Sequence, residues 1–369
     1  MLTRSRTNTQ QREEASDGGH DDRKSNGTGA RSAGRRNADE AGVARGNLSV
    51  VSCAPVAGPA SVVLLFGEVL ADCFPDGERV GGAPFNVAHH LTGLGRRAGV
   101  HPILVSRIGV DARGAFLLER MRAAGLATEE LQSDPEHPSG RVDVILDRDS
   151  QGHRFAIPDG QAWDFIDADA ARLAALARRP RWIYFGTLVQ RGASREALRA
   201  LFAATRASGF LDVNLREPRL DDEMLRWSLA QAEVVKVNEE ELHRVGETLG
   251  MRDSCPTGLG KRLVDAFGIR QLLVTQGADG AWLLDDCHCR FRTPVARPVT
   301  EFRDSVGAGD AFAAVFMLGL VQGWNVWQRL ERAHRFAGEV CRLRGAVPQD
   351  DGFYAPFLAA WGLSREQCQ

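Results

Sequence analysis

No run of eighteen or more apolar residues occurs in the 369 residues, so the sequence holds no candidate membrane-spanning helix. Charge of one sign is lacking too. The 46 Lys and Arg face 48 Asp and Glu, and a net charge of -2 argues against a general nucleic-acid or membrane-surface binder. A disulfide framework is also missing: the seven cysteines (53, 73, 255, 287, 289, 341, 368) are odd in number and scattered. The N-terminus carries no signal-peptide pattern, so reduced thiols in a cytoplasm are expected. Cys287-His288-Cys289 suggests a metal fragment, but no second pair follows, and a turn or hairpin end is the expected reading. Neither the Walker A pattern nor G-x-G-x-x-G occurs, which removes the defining loops of P-loop NTPases and dinucleotide enzymes. The composition that is present, 43% hydrophobic and 25% charged, is ordinary for a soluble globular protein. The length suits one large α/β domain with a small appendage.

Residues 1 to about 48 are dense in Arg, Asp, Glu, Ser, Gly and Asn, contain no aromatic residue and show no apolar periodicity. Such a stretch cannot bury enough surface to offset its ordering entropy, so residues 1–60 are expected to be a disordered tail. Acidic residues interleave with its arginines, which favours a solvated tail over an RNA-binding arm. From Ser61 the character changes. Ser61–Gly67 reads as a buried first strand, with Glu68–Asp72 continuing it. Residues 101–110 form another strand, and a helix follows around 114–124. Arg141–Asp147 and His153–Ile157 alternate apolar and polar residues, as a hairpin with one wet face would. After Asp164 the pattern is regular. Strands at 182–186, 210–214, 234–237 and 271–275 alternate with helices, one of them from about Arg195 to Ser208. Strands that are almost wholly apolar mean a parallel sheet covered on both faces, and ligands bind beyond the strand C-terminal ends. That rule lines up Gly67/Glu68, Gly186, Asp212/Asn214/Arg216, Asn238/Glu241 and Thr275/Gly277 along one edge.

The stretch Asp304-Ser305-Val306-Gly307-Ala308-Gly309-Asp310-Ala311-Phe312 joins a glycine turn to an apolar helix. Unpaired N–H groups at such a helix start suit an anion, phosphate above all. Asp310 would repel a resting phosphate. It makes chemical sense there as a base taking a hydroxyl proton while the N–H groups hold a phosphoryl group in transfer. An ordinary glycine turn with an aspartate favouring the helix dipole fits the same residues, and the stretch alone does not separate the two. Gly81-Gly82-Ala83-Pro84-Phe85-Asn86 opens an earlier helix. Its glycines allow a ligand close to the backbone, and Asn86 offers a donor and an acceptor. His89 and His90 on that helix read as packing or surface residues, since no third ligand is in view. Asn238 and Glu241, three residues apart, share a helix face and suit Mg2+ that keeps several waters. Taken alone, these residues fit a solvated acidic helix start favoured by the dipole better. Thr275-Gln276-Gly277-Ala278-Asp279-Gly280 reads as a hairpin turn or as part of a nucleotide cradle.

These residues together resemble the PfkB (ribokinase-like) carbohydrate kinases. Asp304–Phe312 is similar to the family's C-terminal signature, and Gly81–Ala88 with Leu94-Gly95 to its N-terminal one. The resemblance spans about residues 61–362 and is strongest to the fructokinase branch, through Gly-Gly-Ala-Pro and Asp212-Val-Asn-Leu-Arg216. It implies a three-layer α/β/α fold with a mostly parallel central sheet. It also implies a small β-sheet lid formed by segments near 68–82 and 140–160, within a kinase domain at 61–369. The implied activity is transfer of the ATP γ-phosphoryl group to a sugar hydroxymethyl group, with fructose the leading acceptor and 2-keto-3-deoxygluconate or ribose open. By resemblance Asp310 is the base, and Gly307, Ala308 and Gly309 form the anion hole. Asp72, Gly82 and Asn86 bind sugar hydroxyls, while Thr275, Gly277, Gly280, Asn238 and Arg216 lie on the ATP side. Glu241 organises Mg2+ indirectly, and Asp304 marks a loop for a monovalent cation, K+. A homodimer through the lid is implied as well, with no nucleic-acid or membrane partner. A silent sugar sensor on this fold would be expected to lack the base or a glycine of the hole, and Asp310, Gly307 and Gly309 are all present. Ser305 stands where threonine is usual, and the helix around His334–Gly338 is bulkier than the family's adenine-facing one.

Overall fold

The computed structural model describes residues 61–74, 77–146, 153–216, 221–293 and 301–363, so the expected tail at 1–60 lies outside the described residues. The chain begins with β1 (Ser61–Phe66), β2 (Leu70–Phe74), β3 (Gly77–Gly81), α1 (Ala83–Gly95), β4 (Val100–Gly109) and α2 (Ala112–Ala123). β5 (Leu131–Asp134), β6 (Gly140–Leu146), β7 (His153–Ala156), α3 (Ala168–Arg178), β8 (Trp182–Gly186) and α4 (Ser194–Ala203) follow. Then come β9 (Ser208–Asp212), α5 (Asp222–Gln231), β10 (Ala232–Asn238), α6 (Glu239–Thr248), α7 (Pro256–Phe267) and β11 (Gln271–Thr275). The last elements are β12 (Ala281–Asp285), β13 (Arg290–Arg292), α8 (Ala308–Val321), α9 (Val326–Val340) and α10 (Ala355–Ala360).

A nine-stranded sheet runs in the order β13-β12-β11-β10-β9-β8-β1-β4-β5. It is parallel from β5 to β11, and the β11–β12–β13 edge is antiparallel. The two-residue period of the strands sorts their side chains. Val63 and Leu65 join one core with α1, α2, α8, α9 and α10, whereas Leu64 and Phe66 join a second core with α3 to α7. Helices therefore cover both faces, giving the expected three-layer α/β/α arrangement. α8 is apolar on every side, and Ala311 through Gly319 are all buried.

A second, four-stranded sheet has the order β3-β2-β6-β7, with β6 and β7 antiparallel as their alternation predicts. Three local expectations shift. Glu68–Asp72 does not prolong the first strand, because Gly67 takes φ 147 and turns the chain so that β2 enters the smaller sheet. α4 stops at Ala203 rather than Ser208, since the Thr205 hydroxyl accepts the Ala207 N–H (3.2 Å) and offers the backbone a turn in place of another helical step. β9 ends at Asp212 rather than Asn214, which sits at φ 38 in the left-handed region. Cys287–Cys289 lies in the turn between β12 and β13, as expected of a hairpin end.

Candidate active site

Two helix starts meet beyond the strand ends. Gly82 caps α1 at φ 106, and a Cβ there would lie 2.5 Å from the Glu68 carbonyl oxygen, so only glycine lets this turn close on the end of β1. The Ala83 N–H donates to Glu68 Oε1 (3.1 Å), which seats a carboxylate at the α1 N-terminus. Asn86, in the first turns of α1 and 4% exposed, donates from Nδ2 to Asp310 Oδ2 (2.8 Å). Its Oδ1 is buried and meets no donor among the described residues. A buried acceptor left unpaired is uncommon and points to a donor that arrives with a ligand.

α8 starts at Gly307, which takes the left-handed φ 78 that favours glycine, and a Cβ there would run into the Cα and Cβ of Ala346. The Ala308 N–H donates to Ser305 O (3.2 Å), while the N–H groups of Gly309 and Asp310 meet no acceptor among the described residues. The Gly307 N–H meets none either, so Gly307, Gly309 and Asp310 leave three unpaired N–H groups at this helix start. Beneath it lies an ion pair that the sequence reading did not single out. Lys236 Nζ donates to Asp212 Oδ1 (2.8 Å) and Oδ2 (2.9 Å), and Tyr184 Oη donates to Asp212 Oδ2 (3.1 Å). A Cβ on Gly309 would lie 3.3 Å from Lys236 Nζ, so the ammonium sits directly under the helix start. Burial works against that charge, yet Asp212 and Glu241 outweigh it and raise the Lys236 pKa above the ordinary lysine value. One signal was available: Asp212 closes an otherwise uncharged strand and Lys236 sits among Val234, Val235 and Val237 of β10, where an unpaired charge is prohibitive.

The carboxylates are held away from their ordinary ionisation. Burial, helped by the Asp212 charge, pushes the Asp310 pKa up to about 6 against the opposing effects of Asn86, Lys236 and Arg216. Burial likewise raises Glu68 to about 7 and Asp72, on β2, to about 6. Arg216 lowers all three, so its guanidinium bears on the carboxylate cluster from the loop after β9. The turn is cut to fit Asp72: a Cβ on Gly81 would run into its carboxylate.

The other expected residues lie at strand ends and in the turns that follow or precede helices and strands. Asn238 caps α6, its Oδ1 accepting the Glu241 N–H (2.8 Å), while Glu241 Oε2 accepts the Asn238 N–H (2.8 Å) and Oε1 the Leu215 N–H (2.9 Å). Both Glu241 oxygens are therefore engaged by backbone, which suits contact with a metal through water rather than direct ligation. Thr275 ends β11 beside Asn238 at the end of β10, and Gly277 (φ 57) and Gly280 (φ 94) shape the turn into β12. Asp304 Oδ1 accepts the Val306 N–H (3.0 Å), and the Asp304 N–H donates to Cys341 O (3.2 Å), tying the turn before α8 to the one after α9. A hollow of about 240 Å³ lined by Arg96, Val100, His101 and Glu129 lies at the opposite, N-terminal end of β4. It gathers none of these carboxylates.

Residues 61–351 match the pfkB family of carbohydrate kinases. The chain belongs to that family. This kinase is 30% identical to the fructokinase of Escherichia coli over 279 residues, covering 70% of this chain and 84% of that one. In structure it resembles the fructokinase of Xylella fastidiosa with bound ATP, at TM-score 0.69 and 21% identity, covering 82% of this chain and 99% of that one. It also resembles the fructokinase of Vibrio cholerae O395 in a form binding fructose, ADP and calcium, at TM-score 0.62 and 23% identity, covering 80% and 98%. The kinase is thus an ATP-dependent sugar kinase with a ribokinase-like fold. Sequence reasoning found both signature stretches. It placed Glu68 and Asp212 along the strand-end edge but missed the Glu68 contact to the Ala83 N–H, and the Lys236–Asp212 pair because its members sit on neighbouring strands 24 residues apart.

Proposed function

We propose that this kinase phosphorylates fructose at a hydroxymethyl group, with Asp310 as the base. The observation that carries the reading is the Asn86–Asp310 contact at 2.8 Å together with the unpaired, buried Asn86 Oδ1. The amide holds the base in place on one side and offers an acceptor to a sugar hydroxyl on the other. Asp310 takes the hydroxymethyl proton, the oxygen attacks the γ-phosphorus, and ADP leaves. The Gly309 and Asp310 N–H groups, with Lys236 beneath them, stabilise charge on the transferring group. Arg216 bears on the same point and is assigned to the phosphoryl group rather than to the base of the nucleotide. Thr275, Gly277 and Gly280 take the ATP side. Mg2+ bound with ATP would supply further neutralisation of the phosphates, and Asn238 and Glu241 are the residues that would orient its waters. K+ beside Asp304 is the matching assignment for the turn behind Gly307. The smaller sheet closes over the sugar as a lid, carrying Asp72 to its hydroxyls.

Fructose is favoured over a sugar acid for a physical reason beyond the E. coli likeness. Glu68, Asp72 and Asp310 place three carboxyls around one guanidinium, and a fourth carboxylate on the acceptor would add like charge in a buried site. The test is ADP release from ATP over a panel of fructose, ribose and 2-keto-3-deoxygluconate. Fructose is expected to give the highest kcat/KM and the sugar acid the lowest; preference for the acid would overturn the assignment.

A further inference from the structure

α1 carries a second set of contacts that the transfer chemistry does not use. His90 lies four residues after Asn86 and is fully buried. Its Nε2 is 3.1 Å from the Ala346 carbonyl oxygen, and its Nδ1 is 3.1 Å from Tyr354 Oη. His89 Nδ1 lies 2.9 Å from the same hydroxyl. These partners fix every proton. A carbonyl only accepts, so His90 Nε2 carries hydrogen; burial keeps the ring neutral, so Nδ1 accepts and Tyr354 O–H donates to it. The Tyr354 oxygen then accepts from His89 Nδ1–H. The result is one directed chain, from His89 through Tyr354 and His90 to Ala346. Burial holds the two histidines at pKa values of about 4 and about 3, so the chain keeps its direction at any working pH.

The end of that chain matters because of what Ala346 touches. Its Cα and Cβ fill the space where a Gly307 side chain would be, directly behind the turn that starts α8. At the other end, the Tyr354 ring presses on the bare Cα of Gly93, which leaves no room for a side chain, so α1 and the C-terminal segment are in direct contact. His90 also packs edge-on against Phe336 of α9 (5.2 Å). One face of α1 therefore reaches the base through Asn86 and the turn of the anion hole through His90.

We propose that His90 is a positioning residue for phosphoryl transfer: by donating to Ala346 it seats the turn after α9 against Gly307, and so sets the α8 N–H groups in register with Asp310. The proposal rests on the assignment of Asp310 and the α8 start as the transfer site. Phosphoryl transfer depends on positioning more than on covalent chemistry, so loosening the turn lowers kcat while leaving acceptor binding intact.

The experiment uses the full chain and the best acceptor of the sugar panel, with His90→Leu, His90→Gln, Tyr354→Phe and Asp310→Asn assayed below each variant's measured Tm. His90→Leu, which removes the donor, is expected to lose about 10- to 100-fold in kcat with the sugar KM unchanged. His90→Gln, which restores an N–H donor of similar reach, recovers most of that loss, and Tyr354→Phe shows a smaller drop of the same kind. Parental kcat in folded His90→Leu or Tyr354→Phe overturns the proposal. So does a loss that Gln does not rescue and that raises both KM values together, since that is general loosening. If His90→Leu does not fold, Tyr354→Phe and His90→Gln decide on the same criteria. An active Asp310→Asn overturns the site assignment itself, whereas inactive Asp310→Asn beside fully active His90→Leu removes only the role of His90.

Discussion

At the proposed acceptor end of the cleft, side chains do the building: Asn86 on Asp310, Glu68 on the Ala83 N–H, Lys236 on Asp212, all in buried surroundings. At the proposed nucleotide end the parts are backbone. Thr275, Gly277 and Gly280 contribute a turn whose shape depends on φ of 57 and 94 at the glycines, and the Gly280 Cα faces the Thr293 hydroxyl with no space for a methyl group. The first end is demanding in chemistry, because each buried charge needs its particular partner. The second is demanding in conformation, because almost any side chain strains it. Substitutions that delete a functional group should therefore strike the acceptor end through kcat, and substitutions that add a Cβ should strike the nucleotide end through the ATP KM.

The largest effect is expected from Asp310→Asn. The amide keeps the volume and a polar contact to Asn86 but cannot take a proton, so kcat should fall by about 10²- to 10⁴-fold. Steady-state kinetics would check it, with sugar binding by calorimetry expected to persist. Turnover near the parent's would remove Asp310 as base and erase the contrast between the two ends.

How much of this was open to a reader of the sequence follows the same division. The parallel sheet was legible because its strands are short apolar runs, and the two glycine signatures because a left-handed turn and a bare Cα admit few residues. The Glu68 contact to the Ala83 N–H was not: two positions past β1, Glu68 looks like more strand, and only Gly67 at φ 147 shows that the chain has turned. The Lys236–Asp212 pair and the His90–Tyr354 contact join residues 24 and 264 positions apart. Local spacing carries no trace of such pairs. Strand order brings the first together and the C-terminal segment lying on α1 the second.

A smaller, graded effect comes from pH. The folded pKa values of Asp310 and Asp72 (about 6 each) and of Glu68 (about 7) all lie above the ordinary 3.8 and 4.5 of their groups. Across that interval the folded chain holds more protons than the unfolded one. The stability due to these groups is therefore full at the acid end and falls as pH rises through about 6 to 7. Activity runs the other way, because a base must be unprotonated: kcat/KM should climb about tenfold per pH unit below the Asp310 pKa and level off above it. Parallel profiles of kcat/KM and Tm against pH would show the opposition. Glu68→Gln should flatten the upper part of the Tm profile, and a kcat/KM that is flat across the Asp310 pKa would break the link between burial and base.

The smallest expected effect lies at the other end, and it tests whether backbone shape is what the nucleotide side supplies. Gly280→Ala asks alanine to hold φ 94 and drives its methyl group into the Thr293 hydroxyl, which also accepts the Ala281 N–H at 3.0 Å. A strain of about 1–3 kcal/mol is expected. The β11–β12 turn can relieve part of it by moving, because Gly277 and Gly280 lie at its two ends and the solvent side is open. Movement there is expected to displace the proposed ATP contacts and to leave Asn86, Asp310 and Lys236 where they are. The KM for ATP should therefore rise by up to about tenfold, the kinetic equivalent of about 1.4 kcal/mol, while the sugar KM and the pH profile stay those of the parent. Gly280→Ala combined with Thr293→Ser keeps the hydroxyl but removes the neighbouring methyl group, and should recover little, since the φ strain persists. A loss in kcat with an unchanged ATP KM would show that the turn communicates with the base, and that the two ends are one unit.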